Sequence, residues 1–252
     1  MFRFFLDTKI EDPQNIIISD KVIIKKITKV LRLKVGDSLF LFDNTGEEYE
    51  VVINEFKDKK IFCHLIRRIE IERELPIEIN LYQSLLKKDK FEWLCQKVTE
   101  IGIKRIVPIT TEFCVVNELN SNKINRYKKI IAEATIQSGG KIPPVLNPVI
   151  KFVEAVKTLN PRNLNLICHE PRTRTSSVLG EQEKVNNLME ILRTHGNKVI
   201  NIFVGPEGGF SPFEIDLAQQ NSMIPVSLGK RILRAETAGI IVCGTISQLF
   251  VD

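Results

Sequence analysis

Residues 199–214 read Val-Ile-Asn-Ile-Phe-Val-Gly-Pro-Glu-Gly-Gly-Phe-Ser-Pro-Phe-Glu. The largely apolar run 200–204 has the pattern of a buried strand. It enters a loop with glycines at 205, 208 and 209, where Pro206 fixes one φ and the glycines free the others. The loop ends in a helix-start signal: Ser211 as N-cap, Pro212 at the first helical position, Glu214 three residues after the cap. A strand, a glycine loop and a helix N-terminus make a ligand site in an α/β protein. The spacing is not G-x-G-x-x-G, and no Lys-Ser/Thr follows the glycines. Neither common nucleotide fingerprint fits, and a Rossmann oxidoreductase is disfavoured on that ground.

A second loop, 227–238, reads Ser-Leu-Gly-Lys-Arg-Ile-Leu-Arg-Ala-Glu-Thr-Ala and again joins a short strand to a helix. The two loops are expected to leave the carboxyl ends of neighbouring strands, where α/β sheets bind ligands. Gly229 permits close backbone approach. Leu228, Ile232 and Leu233 can wall an apolar slot, with Arg234, Glu236 and Thr237 as polar groups at its mouth. A packed strand–helix junction with an incidental Arg-Glu pair is the plainer alternative.

Outward from these loops, strands and helices alternate. Strands are expected at 77–82, 105–109, 164–168, 200–204 and 224–228. Helices are expected at 89–101, 122–137, about 183–193 and about 235–250, with a polar loop over 171–187. Gly102 is placed to end the first helix and Gly139-Gly140 the second. Alternation of this kind predicts a mostly parallel sheet with helices on both faces. Residues 1 to about 70 differ. Short apolar runs are separated by turn signals at 35–37, 43–46 and 57–60, which predicts a small antiparallel barrel, with one helical stretch over 20–33. The boundary falls in the charged connector near 70–76, giving domains 1–72 and 73–252.

The 252 residues are 43% hydrophobic with a net charge of +5, ordinary for a globular chain but suited to a polyanionic partner. Basic residues cluster at 21–34, 87–90 and 123–129. No apolar run reaches membrane-spanning length, and the first residues reach a charge too early for a signal-peptide core, so a cytoplasmic protein is expected. The five cysteines and three histidines are scattered, which supports neither a disulfide framework nor a metal site.

The paired motifs 204–214 and 228–238 resemble the signature of RsmE-type ribosomal RNA methyltransferases of the SPOUT superfamily. Gln83 with Lys87, Lys90 and Glu92, then 96–102, Gln137-Ser-Gly139 and 30–37, extend the resemblance over the whole chain. The resemblance implies an α/β fold with a deep C-terminal trefoil knot and a small N-terminal PUA-like β-barrel that binds RNA. It implies a homodimer that uses S-adenosylmethionine, without a metal, to methylate N3 of a uridine in small-subunit (16S) ribosomal RNA or in the assembled small subunit. The cofactor residues it implies follow the three loops. They are His169 and Glu170, then Val204, Gly205, Pro206, Glu207, Gly208 and Gly209. Ser227, Leu228, Gly229, Ile232, Leu233, Arg234, Thr237 and Ala238 complete the set. Uracil N3 carries a proton and is a poor nucleophile until that proton is lost, so a cation or a base beside it is needed. Arg234 is the candidate for orienting the base and stabilising its charge, and Glu207 or Glu236 is the candidate base. Lys29, Arg32, Lys87, Lys90, Gln137 and Lys141 are the candidate RNA contacts. Gly140, Phe113 and the missing histidine before Val30 depart from the family pattern. A noncatalytic RNA-binding or ribosome-assembly factor retaining the fold is the competing reading.

Overall fold

The computed structural model describes residues 2–43, 45–70, 73–170 and 185–250. It divides into two compact units, Met1–Glu74 with Ala132–Pro143, and Leu75–Ile131 with Pro144–Asp252.

The first unit holds strands β1 (Arg3–Phe5), β2 (Asn15–Ile18), β3 (Ser38–Phe42), β4 (Glu48–Lys57) and β5 (Lys60–Ile69) in one sheet of order β1-β3-β4-β5-β2. The pairings are antiparallel except β1 on β3, which is parallel. That one pairing departs from the antiparallel expectation, because β1 reaches β3 without a hairpin between them. Ile18, Leu39, Leu41, Val51 and Ile61 are fully buried and alternate with more exposed neighbours, as a one-faced sheet requires. The stretch expected to form one helix is instead α1 (Lys21–Lys25), capped by the Asp20 carboxylate, followed by a π-turn over Lys26–Val30. The turn buries Ile27 while Lys25, Lys26 and Lys29 stay exposed.

Glu48 is 1% exposed and shared by two arginines. Its Oε1 accepts from Arg3 Nε at 2.6 Å and its Oε2 from Arg73 at 2.9 Å. The same guanidinium groups donate to the carbonyls of Ile136, Gly139 and Gly140. These carbonyls close the helix that ends at Ser138, where unsatisfied backbone oxygens favour cations. A buried carboxylate is tolerated here because it is paired and hydrogen-bonded on both oxygens.

The second unit contains β6 (Glu78–Ser84), β7 (Arg105–Thr110), β8 (Val145–Leu146), β9 (Ile150–Lys151), β10 (Leu164–Cys168), β11 (Asn186–Asn187), β12 (Val199–Val204) and β13 (Ile224–Ser227). Their order is β11-β13-β10-β12-β6-β7-β8, with β9 also on β7, and every pairing is parallel. The helices are α2 (Lys90–Ile101), α3 (Ser121–Ser138), α4 (Phe152–Lys157), α5 (Leu188–Thr194), α6 (Pro212–Gln220) and α7 (Ala235–Leu249). The last turns of α3 belong to the first unit. Gly102 ends α2 at φ 91°. The helix expected from about 183 begins at Leu188. Most of the expected polar loop, 171–184, lies outside the described residues.

Successive side chains of the central strands feed two cores. Ile79, Leu81, Ile200 and Ile202 pack with Phe91, Leu94, Val98, Val242 and Ile246 of α2 and α7. On the other face Phe203 packs with Phe152, Ala155 and Val156 of α4 and with Ile215 and Ala218 of α6. Helix α4 has no counterpart in the sequence reading; its six residues are too few for a periodic signal. A buried amide ladder runs across three strands: Asn80 donates to Asn201 at 3.0 Å and Asn201 to Asn165 at 2.8 Å. A one-residue slip of any strand would break it and bury unpaired amides, so it helps set the register.

Gly239 and Gly244 both lie in α7, where glycine costs about 1 kcal/mol against alanine. A Cβ at Gly239 would fall 2.6 Å from Gln83 Oε1 and 2.9 Å from Leu94 Cδ1, whereas at Gly244 it would meet only Ile101 Cδ1 at 3.8 Å. We expect Gly239→Ala to destabilise by about 1–3 kcal/mol through overpacking. Gly244→Ala is expected to be neutral or to stabilise by up to about 1 kcal/mol. Urea unfolding of the two variants checks this, and equal effects at both positions would contradict it.

Candidate active site

Cys168, Val204 and Ser227 end three parallel strands, with β10 between β12 and β13. Cys168 pairs in register with Val204 on one side and Val226 on the other. The two motif loops therefore do not leave adjacent strands, as the sequence suggested. They flank the exit of β10, so three loops converge at one edge of the sheet.

Between them lies a cavity of about 420 Å³. His169 and Glu170 line it from the first loop, and Val204 to Gly209 from the second. Leu228, Ile232, Leu233, Arg234 and Ala238 line it from the third. Of the residues read from sequence for this slot, Ser227, Gly229 and Thr237 are not in the wall. Ser227 instead holds the rim: its Oγ bonds Glu170 Oε1 at 2.5 Å and accepts from the Gly229 N–H at 3.2 Å. Gly229 makes that turn at φ 128°, open to glycine and strained for other residues. Thr237 sits in the first turn of α7 and does not line the cavity.

Five wall residues escaped the sequence reading: Cys168, Phe210, Val226, Arg231 and Ala235. Cys168 and Val226 are strand-end neighbours of residues that were identified, and only the register reveals them. Cys168 is half-buried, and burial pushes its thiol up to about 12, with the Glu170 charge adding to it. It is an uncharged thiol in the wall and a poor nucleophile at neutral pH.

The glycine loop is braced from outside. Ser211 and Glu214 form the expected capping box, with Ser211 N–H to Glu214 Oε2 at 2.9 Å. The other oxygen, Oε1, accepts the Glu112 N–H at 2.9 Å. Next to it, the Phe113 side chain fills the space over Gly208, where a Cβ would come within 2.9 Å of it. The Phe113 departure from the family pattern thus puts an aromatic ring against the cavity loop.

Three charged groups meet beside the cavity. Lys90 Nζ lies 3.3 Å from Glu207 Oε1 and 3.4 Å from Glu236 Oε1. Burial pushes the Glu207 carboxyl up. The hydrogen bond of its own backbone and the Lys90 ammonium outweigh that, with Lys87 helping, and hold it below the usual carboxylate range. Glu236 lies behind the wall rather than in it. Arg234 is exposed at the N-cap of α7 without capping through its side chain, which leaves its guanidinium for the cavity. Of the candidate RNA contacts, Lys29, Arg32, Lys87 and Gln137 are exposed and Lys90 is partly buried. Lys141 is 7% exposed and its backbone N–H is bound by Glu74, so it does not present a free cation to an RNA surface. Among the described residues no group of three or more His, Cys, Asp or Glu could hold a metal ion. No described helix is long and apolar enough to cross a membrane.

Residues 73–247 match the RNA methyltransferase domain family, and residues 27–66 match the RNA methyltransferase PUA domain. A ribosomal RNA small subunit methyltransferase E from Rickettsia conorii is 30% identical over 239 residues, 94% of this chain and 91% of that protein. One from Synechocystis is 34% identical over 227 residues, 88% of this chain and 70% of that protein. The crystal structure of the corresponding Neisseria gonorrhoeae protein, bound to S-adenosyl methionine, superposes with a TM-score of 0.86 at 27% identity, covering 99% of this chain and 98% of that one. The cavity lies inside the segment that carries the enzymatic match, and the chain belongs to the RNA methyltransferase family, among the ribosomal RNA small subunit methyltransferases E.

Proposed function

We propose that this chain is an S-adenosylmethionine-dependent ribosomal RNA methyltransferase that modifies N3 of one uridine in the small-subunit RNA. The observation that carries the reading is the cavity itself. Its apolar walls at Leu228, Ile232 and Leu233 and its backbone-rich glycine loops suit an adenosine joined to a methionine. The carboxylates of Glu170 and Glu207 suit cationic and hydroxyl groups of that ligand better than a phosphate. When bound, S-adenosylmethionine supplies a methyl group on a sulfonium sulfur, which leaves as a neutral thioether.

The chain's own residues then have three tasks. The glycine loops exclude water and hold the ligand through backbone groups. Arg234 orients the uracil and stabilises the negative charge that develops as N3 loses its proton. A carboxylate beside the cavity, Glu207 or Glu236, accepts that proton. Residues 1–72 serve as a PUA-like barrel that grips RNA through Lys29 and Arg32, and residues 73–252 as the catalytic domain. The order β13-β10-β12, in which later strands flank an earlier one, supports reading the three loops as the deep trefoil knot of SPOUT enzymes. Ile241 of α7 and Phe213 of α6 are 45% and 63% exposed apolar side chains and fit a homodimer contact. Such an enzyme acts where ribosomal subunits are assembled, in the cytoplasm.

Mass spectrometry of small-subunit RNA from cells with and without the gene tests the reading. One uridine should lose a methyl group in the deletion and regain it on complementation. An unchanged RNA, together with no S-adenosylmethionine binding in calorimetry, would favour a noncatalytic assembly factor instead.

A further inference from the structure

The sequence alone places Lys90 among the basic residues that contact RNA and leaves two carboxylates as equal candidates for the base. Their surroundings separate them. Glu207 lines the cavity with 37% of its side chain exposed. The side chain of Glu236 is 9% exposed, and its Oε2 is buried with no hydrogen-bond partner among the described residues. A buried carboxylate oxygen without a donor is costly, and removing the remaining partner would leave a bare buried charge. Glu236 is thus tied to the Lys90 ammonium, and that tie anchors Lys90 beside the cavity rather than leaving it free to follow a phosphate. The anchored ammonium still has donors to spare, and one reaches Glu207 Oε1 at 3.3 Å.

We propose that Lys90, anchored by Glu236, is a positioning residue that fixes the Glu207 carboxylate at the cavity wall as the acceptor of the uridine N3 proton. The proposal rests on the methyltransferase reading above. In the step, the N3–H proton passes to a Glu207 oxygen. The freed N3 electron pair forms the new N–C bond, and the methyl–sulfur bond breaks with its pair retained by sulfur. Glu207 returns its proton to solvent as the products leave. An ionised carboxylate is the competent form, and the ammonium beside it favours that form.

The groups that face Glu207 are Lys90 at the first position of α2 and Lys87 in the loop before it, with Glu236 behind Lys90. Arg231 and Arg234 share the cavity wall from the loop before α7, and His169 and Glu170 from the loop after β10. Lys90 is the one among them within hydrogen-bond distance of the carboxylate in the described structure.

The test uses the full-length protein with small subunits from the deletion strain, saturating S-adenosylmethionine, and the variants Lys90→Met, Lys90→Arg and Glu236→Gln. For Lys90→Met we expect kcat to fall by about 10²-fold with an unchanged KM for S-adenosylmethionine. The acid limb of its kcat–pH profile should move to higher pH, because loss of the cation raises the Glu207 pKa. Lys90→Arg should restore most of the rate and return the limb towards its original position. Glu236→Gln keeps the ammonium but removes its anchor, so it should lower kcat without changing the KM for S-adenosylmethionine, which keeps the test usable if Lys90→Met folds poorly. An unmoved acid limb in Lys90→Met, or an unchanged kcat in Glu236→Gln, would overturn the proposal. So would a defect confined to the KM for the ribosomal substrate, the signature of a phosphate contact. If the wild-type protein itself modifies no uridine at N3, the underlying reading has failed, and that outcome is separate from any Lys90 effect.

Discussion

Arg234→Ala is expected to reduce kcat for uridine methylation by about 10²–10³-fold, a loss of about 2.7–4 kcal/mol of transition-state stabilisation. The side chain is exposed, lines the cavity and caps nothing, so its removal leaves the core and the first turn of α7 intact. Stability should therefore stay within about 0.5 kcal/mol of wild type, as for other surface substitutions outside structural features. Binding of S-adenosylmethionine should also change little if the guanidinium acts on the uracil. Single-turnover kinetics on unmodified small subunits, with calorimetry of cofactor binding, separates these effects. Normal turnover in the variant would remove Arg234 from the mechanism. A loss confined to cofactor affinity would place its guanidinium on the methionine end of the ligand instead.

Phe203→Ala is expected to be the most destabilising of the substitutions considered, at about 3–5 kcal/mol. The ring is fully buried, stacks on Tyr82 at 4.2 Å between centroids and meets Phe152 edge-on at 5.7 Å. Its truncation leaves a cavity between these rings, whose cost adds to the lost transfer free energy. Against a total stability of about 5–15 kcal/mol, this is a large fraction. Phe203 also directly precedes Val204 and Gly205 of the cavity wall. The variant should bind S-adenosylmethionine more weakly as well as unfold earlier in urea. A variant with native stability would mean that the second core contributes little to holding the three strand ends together.

Much of this architecture was legible in the residues. The capping box at Ser211 and Glu214, the strand ends at Cys168 and Val204, and the stop at Gly102 are local events, set by residues within one turn of each other. Such signals survive in a linear reading because their partners are near in sequence. Helix α4 was missed because it is short. The single helix expected at 20–33 became α1 and a π-turn, because periodicity does not distinguish a hydrogen bond four residues back from one five residues back.

The candidate site was legible only in part. The two glycine loops could be read as a ligand site from their own composition. That β10 runs between them could not, because strand order is decided by which apolar faces are buried together, over separations of tens of residues. Nor could the sequence distinguish Lys90 from Lys87 and Lys88, three neighbours of similar charge in one basic run. Folding turns one of them inward to Glu207 and Glu236 and leaves the other two in solvent.

The sequence by itself determined the class of this protein: an α/β chain with two strand–glycine-loop–helix junctions and the motif pair of an RNA methyltransferase. These are properties of contiguous residues, and local stereochemistry enforces them wherever they occur. The tertiary structure alone decided how the junctions are combined. It placed a third loop between them, packed Phe113 over Gly208, took Lys141 out of solvent, and gave Glu207 and Glu236 different surroundings. Burial and charge partnership are set by distance in space, and a carboxylate gains its chemical role from what the fold brings beside it.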